Sequence, residues 1–336
     1  MMKRITPYLI LIASVASSCT NSTLYQSHAG LTQGTTFNIV YQEKPFLRPE
    51  RINRAIDLKL KEIDNSLSVY NDSSLISAIN RNETTAVDTM FAEVFRLSEK
   101  ISLLTDGLFD ITVGPLVRTW GFGPDALDRF DPDISDSLMA FVGYRKVRLS
   151  NGNLVKDDPR IWIDVNAIAQ GYSVDVIAKL LDDFGIENYL VEIGGEVRAR
   201  GVRVDRLWRV GVDMPEDNNN SPGEKLVAVV ELDNEALATS GNYRKFHIDE
   251  GIKYSHTIDP RLGTPARNRL LSATIIAGDA ATADAFATAC MVAGPDGARE
   301  MIEKYDFLEG YLIYSGDQGE YLTWISEGLK SKVKEE

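Results

Sequence analysis

Hydrophobic and polar positions alternate with period two through Thr35-Thr36-Phe37-Asn38-Ile39-Val40-Tyr41, which predicts a strand. At Pro49 the period changes: Ile52, Ala55, Ile56, Leu60 and Ile63 recur at helical spacing, so Pro49–Leu67 is expected to be a helix. Residues 73–80 read as a short helix capped by Asp72 or Ser73. Residues 86–105, with Phe91, Val94, Phe95, Leu97, Ile101 and Leu104, read as a longer one closed by Gly107. Residues 110–124 are punctuated by Gly and Pro, hold Trp120 and Phe122, and read as a functional loop. Two strands are expected around the Asn151-Gly152 turn, at 146–149 and 160–164. A helix at 169–184 follows, ended by Gly185, then strands 189–193 and 196–201 around Gly194-Gly195. Strands 208–212 and 226–232 pair across a polar loop, with short segments at 236–240, 245–249 and 272–277. Residues 281–294 read as largely helical, and strands 311–314 and 321–325 flank a turn at 315–319. Hairpins outnumber βαβ units, so the expected class is α+β, with mainly antiparallel sheets packed with helices.

The first residues add a compartment. Lys3 and Arg4 precede a mostly apolar run, residues 5–15, too short to span a bilayer, and Ala16-Ser17-Ser18-Cys19 ends it. Small residues before a Cys resemble a bacterial lipobox, with Cys19 lipidated and heading the mature chain. Residues 1–18 are then a signal peptide, 19–30 a polar tether, and 31–336 one functional domain. The expected location is the periplasmic side of a bacterial membrane, as a lipoprotein. The chain has two cysteines; with Cys19 acylated, Cys290 is expected to be a small buried hydrophobe and no disulfide forms. A 44% hydrophobic content is ample for a core. The formal charge of −13 argues against non-specific nucleic-acid binding, and an anionic ligand would need a cation or backbone N–H groups.

Candidate chemistry lies in the last third. Asp284 and Thr288 are four residues apart, on one face of the expected helix. A carboxylate and a hydroxyl suit Mg2+, which takes one or two protein groups and shares substrate phosphates and water. On an alanine-rich helix the same pair also fits a cap and a packing residue. Residues 164–171 pass from strand to helix start, where free N–H groups meet an anion and a carbonyl is left for a cation. Gly194-Gly195 permits close ligand approach or simply a tight turn. His256, one of three histidines, stands beside the Ile258-Asp259-Pro260 turn as a near-neutral base.

These pieces together resemble the ApbE family of FAD:protein FMN transferases. The matching segments, in order, are Gly34-Thr35-Thr36, Ser68-Val69-Tyr70 with Ser74-Leu75-Ile76, and Phe109-Asp110-Ile111-Thr112-Val113-Gly114-Pro115-Leu116. They continue through residues 164–171, Glu192-Ile193-Gly194-Gly195-Glu196, Ser240-Gly241, His256-Thr257-Ile258-Asp259-Pro260, and residues 283–289. The resemblance implies a T-fold-like architecture and an enzyme that uses FAD as substrate with Mg2+ as cofactor. It would transfer FMN to a threonine hydroxyl of an acceptor protein and release AMP. It implies that Asp284, Thr288 and the carbonyl of Ala167 hold the metal. Tyr70 would lie against the flavin; Gln33, Leu108, Phe109, Asp110, Asp164, Gln170 and Ile258 would contact the flavin nucleotide, and His256 would act as base. Gln170 stands where the family commonly has Lys, and Gln33 where Met is frequent. The acceptor implied is a subunit of a membrane redox complex. The competing classes are an FAD pyrophosphatase, a non-catalytic flavin-binding lipoprotein and a structural envelope lipoprotein.

Overall fold

The computed structural model describes residues 24–123, 137–216, 223–242, 246–249 and 252–335. Cys19 lies outside the described residues. The strands in chain order are β1 (Tyr25–Thr32), β2 (Thr35–Gln42), β3 (Val147–Ser150), β4 (Asn153–Lys156), β5 (Tyr189–Ile193), β6 (Glu196–Arg200), β7 (Val202–Arg203), β8 (Arg206–Asp213) and β9 (Leu226–Leu232). They continue with β10 (Ala236–Gly241), β11 (Phe246–Asp249), β12 (Ile252–Ser255), β13 (Ile258–Asp259), β14 (Thr264–Pro265), β15 (Leu270–Ala277), β16 (Glu309–Ser315), β17 (Tyr321–Ile325) and β18 (Val333–Glu335). The helices are α1 (Pro49–Leu67), α2 (Leu75–Asn80), α3 (Thr89–Leu104), α4 (Gly114–Thr119), α5 (Asn166–Asp183) and α6 (Ala280–Lys304).

One antiparallel sheet of eight strands, ordered β1-β2-β5-β6-β10-β15-β16-β17, organises the molecule. Its two faces are read off the strand alternation. Ala236 and Ala238 of β10 and Ala273, Ile275 and Ala277 of β15 face the helices, while Leu237 and Ile276 face the other way. There the second sheet, β18-β9-β8-β7, covers them with Trp208, Val212, Ala228, Val230 and Leu232. The structure is therefore α+β and antiparallel, as its sequence pattern predicts.

Boundaries shift where side-chain chemistry outweighs periodicity. Ser74, not Asp72 or Ser73, caps α2, its hydroxyl accepting the Ser77 amide at 3.1 Å. Asp88 starts α3 by accepting the Phe91 amide at 2.8 Å, three residues after the expected start. The expected strand at 160–164 does not form. Its partner is a side chain: Asn80 Nδ2 donates to the Ile163 carbonyl and Asn80 Oδ1 accepts the Ile163 amide, both at 2.8 Å. The Asn151-Gly152 turn joins β3 to β4 instead. Residues 110–124 contain the short helix α4, so the segment is not wholly a loop. The end of the expected tether, from Tyr25, pairs with β2 as an edge strand. The helix at 281–294 runs on to Lys304 through a kink where Gly294 adopts φ +76 before Pro295.

Candidate active site

Two helices meet closely enough to place a carboxylate between them. Asp279 caps α6 by accepting the Thr282 amide at 2.8 Å. Asp175 of α5 accepts the next free donors, the Ala280 and Ala281 amides at 3.0 and 2.9 Å, and is itself paired with Arg198 at 2.6 Å. Gly171 permits the approach, since a Cβ there would lie 2.3 Å from the Ala280 carbonyl oxygen. Alanines 280, 281, 283, 285, 287 and 289 are all buried along this helix. Asp284, 6% exposed, then accepts the Gly171 amide at 3.1 Å through Oδ2. In a regular α-helix that amide would bond the Ala167 carbonyl, four residues back, so the carboxylate competes for it. Burial pushes the Asp284 carboxyl up to about 7; the Gly171 amide opposes this and the nearby Asp175 charge adds to it. One turn on, Thr288 Oγ1 lies 3.4 Å from Ser240 Oγ, at the end of β10.

This donor set fits a hard divalent cation. A buried carboxylate with one amide donor and a raised proton affinity is a group that lacks a matching positive charge. The hydroxyl sits on the same helix face, and Ala167 lies in the first turn of α5. Among the described residues there is no cluster of three His, Cys, Asp or Glu side chains, so a cation here relies on mixed oxygen donors and its ligand.

Two hairpin tips flank this junction. Gln33, at φ +49 in the β1–β2 turn, donates from Nε2 to Ser173 Oγ at 2.6 Å, and its Oε1 is buried without a partner. Gly194 and Gly195 form the β5–β6 turn at φ +70 and +110, conformations that glycine adopts without strain. Gln170 lies against that turn; a Cβ on Gly194 would sit 2.6 Å from its Nε2. The Gly194 amide donates to Thr36 at 3.0 Å, tying the two tips together.

The third wall holds the aromatic and acidic candidates. The Asp164 amide donates to the Ile111 carbonyl at 2.7 Å, joining the segment before α5 to the 110–112 turn. Asp164 Oδ1 accepts the Asn166 amide at 2.9 Å, and burial raises this carboxyl. Tyr70 is 62% exposed, and its hydroxyl is raised by burial and then by the Asp164 charge, which places the phenol near that carboxylate. An exposed ring near a partly buried acid offers a face for stacking. Phe109 and Asp110 have inward roles: Phe109 packs in the core, and Asp110 accepts from the Thr112 amide and hydroxyl and the Tyr144 amide at 2.8, 2.7 and 2.6 Å. Their side chains brace the loop, and Leu108 is partly buried beside them.

His256 follows β12 and is half-buried, with its ring 6.3 Å from that of Phe122, edge to face. Ile258 packs with Leu116, Trp120 and Val142, so α4 and its following residues brace the histidine segment. Trp120 Nε1 donates to the Gly263 carbonyl at 2.8 Å, closing the turn. Sequence reasoning did not single out Ser173, Asp175 or Asn80, which act through long-range partners that leave no local pattern. Cys290 is buried, with its thiol pushed up to about 12, and is inert.

The fold is thus α+β and antiparallel, with a buried carboxylate and a hydroxyl one turn apart at the α5–α6 junction. The chain belongs to the ApbE family, whose pattern matches residues 33–312. It is 36% identical over 298 residues, 86% of this chain and 88% of the relative, to an FAD:protein FMN transferase of Vibrio cholerae. A protein of the same name from Haemophilus influenzae is 33% identical, over 98% of both chains. The solved structure of the flavin transferase ApbE from Vibrio cholerae superposes with a TM-score of 0.82 at 34% identity, covering 92% of this chain and 99% of that one.

Proposed function

We propose that this chain is an FAD:protein FMN transferase that uses Mg2+ and a threonine hydroxyl of an acceptor protein, releasing AMP. The observation that carries this reading is the buried Asp284 carboxylate, raised to about 7 with a single amide donor, one helical turn from Thr288. Asp284, Thr288 and the Ala167 carbonyl would hold the cation, which when bound would neutralise charge on the FAD pyrophosphate. Tyr70 and Asp164 receive the flavin ring, and Gln33, Gln170 and the Gly194-Gly195 turn receive the nucleotide. In the reaction, the acceptor oxygen bonds the FMN-side phosphorus, the pyrophosphate P–O bond breaks and AMP leaves. His256 takes the proton released by the hydroxyl. Its edge-to-face packing against Phe122 positions the imidazole, and the Trp120–Gly263 bond closes the turn that follows.

The same reading extends to the cell surface: Cys19 is lipidated, the domain stands on the periplasmic side of a membrane, and the acceptor is a subunit of a membrane redox complex. No helix among the described residues is long and apolar enough to cross a membrane. The test incubates the mature protein with FAD, Mg2+ and a threonine-containing acceptor domain, following AMP and covalently bound flavin. Acceptor-dependent AMP with a flavinylated threonine is the expected result. AMP with free FMN, at a rate indifferent to acceptor, would make the chain a pyrophosphatase.

A further inference from the structure

The end of the large sheet remote from the site gathers a different set of residues. β1 begins at Tyr25 and leads to Gln33 at the site; a strand of this length covers about 25 Å. At the Tyr25 end, Leu24 is 58% exposed, and its carbonyl accepts the Glu43 amide at 2.9 Å. Three residues beyond Glu43, Phe46 is fully exposed at φ +68. The Tyr25 hydroxyl donates to the Val202 carbonyl at 2.8 Å and accepts the Val204 amide at 3.1 Å. Asn188 fastens the same region, its carbonyl accepting the Gln42 amide at 2.9 Å and its Oδ1 the Val202 amide at 2.7 Å. Val204 is 66% exposed at φ +65.

A phenylalanine and a β-branched valine in left-handed backbone are both outliers, and each holds an apolar side chain out into water. Glycine or asparagine would suit either turn better if the turn were all that mattered. The charge is also local. Residues 44–48 and 202–206 carry Lys44, Arg48, Arg203 and Arg206 against Asp205, with Glu43 and Glu50 alongside. The whole chain has 36 basic and 49 acidic residues.

We infer that this end is a bilayer-docking surface, with Leu24, Phe46 and Val204 entering the headgroup boundary of an anionic membrane and the four cations meeting its phosphates. The inference rests on the lipidated reading of Cys19 for its orientation. The five residues from Cys19 to Leu24 reach at most about 18 Å, so an anchored chain holds this end against the membrane. The site then opens about 25 Å above the surface, at the far end of β1, where a water-soluble acceptor domain reaches it.

The experiment uses the acyl-free mature chain, Cys19→Ala, in sedimentation with phosphatidylglycerol-containing vesicles and with neutral phosphatidylcholine vesicles. Binding to the anionic vesicles, weakened by salt, is expected. Phe46→Glu with Val204→Glu lowers it about tenfold, Lys44→Glu with Arg48→Glu abolishes the preference for anionic lipid, and neither pair changes flavin transfer to a soluble acceptor. No vesicle binding, or binding indifferent to both pairs in variants that melt like the parent, overturns the inference. So does a dimer that the glutamates disperse, which would assign the surface to a second copy. The Cys19 reading is tested apart from this, by mass spectrometry for the acyl group on the native protein.

Discussion

The two halves of the site are built by opposite means. At the α5–α6 junction the chain packs backbone against backbone: Gly171 meets the Ala280 carbonyl, small side chains fill the seam, and one carboxylate is left between the helices. Around His256 the wall is made of two large rings, Phe122 and Trp120, with the aliphatic Ile258, carried on short elements and turns. On the proposed reading, cation binding belongs to a rigid, buried element, and acceptor handling to a partly exposed one.

If that division is right, the largest effect comes from the junction. Asp284→Ala should cost about 10^4 in transfer rate, since several kcal/mol of transition-state stabilisation are at stake. Isothermal titration should show Mg2+ affinity lost as well. Unchanged Mg2+-dependent AMP release would remove the junction from the chemistry. His256→Ala should spare FAD binding and Mg2+ affinity while slowing transfer by about 10^2- to 10^3-fold, within the range of a positioned base. Loss of FAD affinity with normal turnover of bound FAD would move His256 into the binding half and break the comparison.

The junction also predicts a pH signature in stability. The folded Asp284 carboxyl sits near 7, above its ordinary value of 3.8. A raised folded pKa means that the folded state holds the proton more tightly. That contribution to stability is complete below about pH 4 and is lost as pH rises through about 7. The cation-free protein should therefore lose stability across this window, by several kcal/mol at most. Mg2+ should restore it above pH 7, and Asp284→Asn should remove both the loss and the restoration. Thermal melts in EDTA and in Mg2+ from pH 4 to 8 decide the matter; identical profiles for the parent and the Asn variant would place the cation elsewhere.

The same contrast explains what the sequence made legible. The helix spacing of Asp284 and Thr288, the Gly194-Gly195 hairpin and the antiparallel class follow from local pattern, and the structure has each of them. The 160–164 segment reads as a strand but pairs with none, because the Ile163 backbone is satisfied by Asn80, 83 residues away, which no period reveals. β1 does not stand out as a strand in the sequence because none of its side chains is fully buried at the sheet edge, so its alternation is faint. The carboxylate of Asp110 also braces its own loop, accepting from Thr112 and Tyr144, a role that the motif does not reveal. Asp175 leaves no mark in the sequence, because the amides it caps belong to another helix more than a hundred residues on.

The smallest effect sharpens the division from the nucleotide side. Gln170 precedes Gly171 in α5, and its amide rests against the Gly194 turn, so it belongs to the junction without touching the carboxylate's amide donor. Gln170→Lys adds a charge at a partly exposed position in a protein of net charge −13. A cation there should lower the KM for FAD about threefold at low salt, the scale of an exposed ion pair, and leave kcat unchanged. Raising ionic strength should erase the gain. A change in kcat with no change in KM would mean instead that the new side chain had displaced the Gly194 turn, coupling the two hairpin tips to the reacting centre.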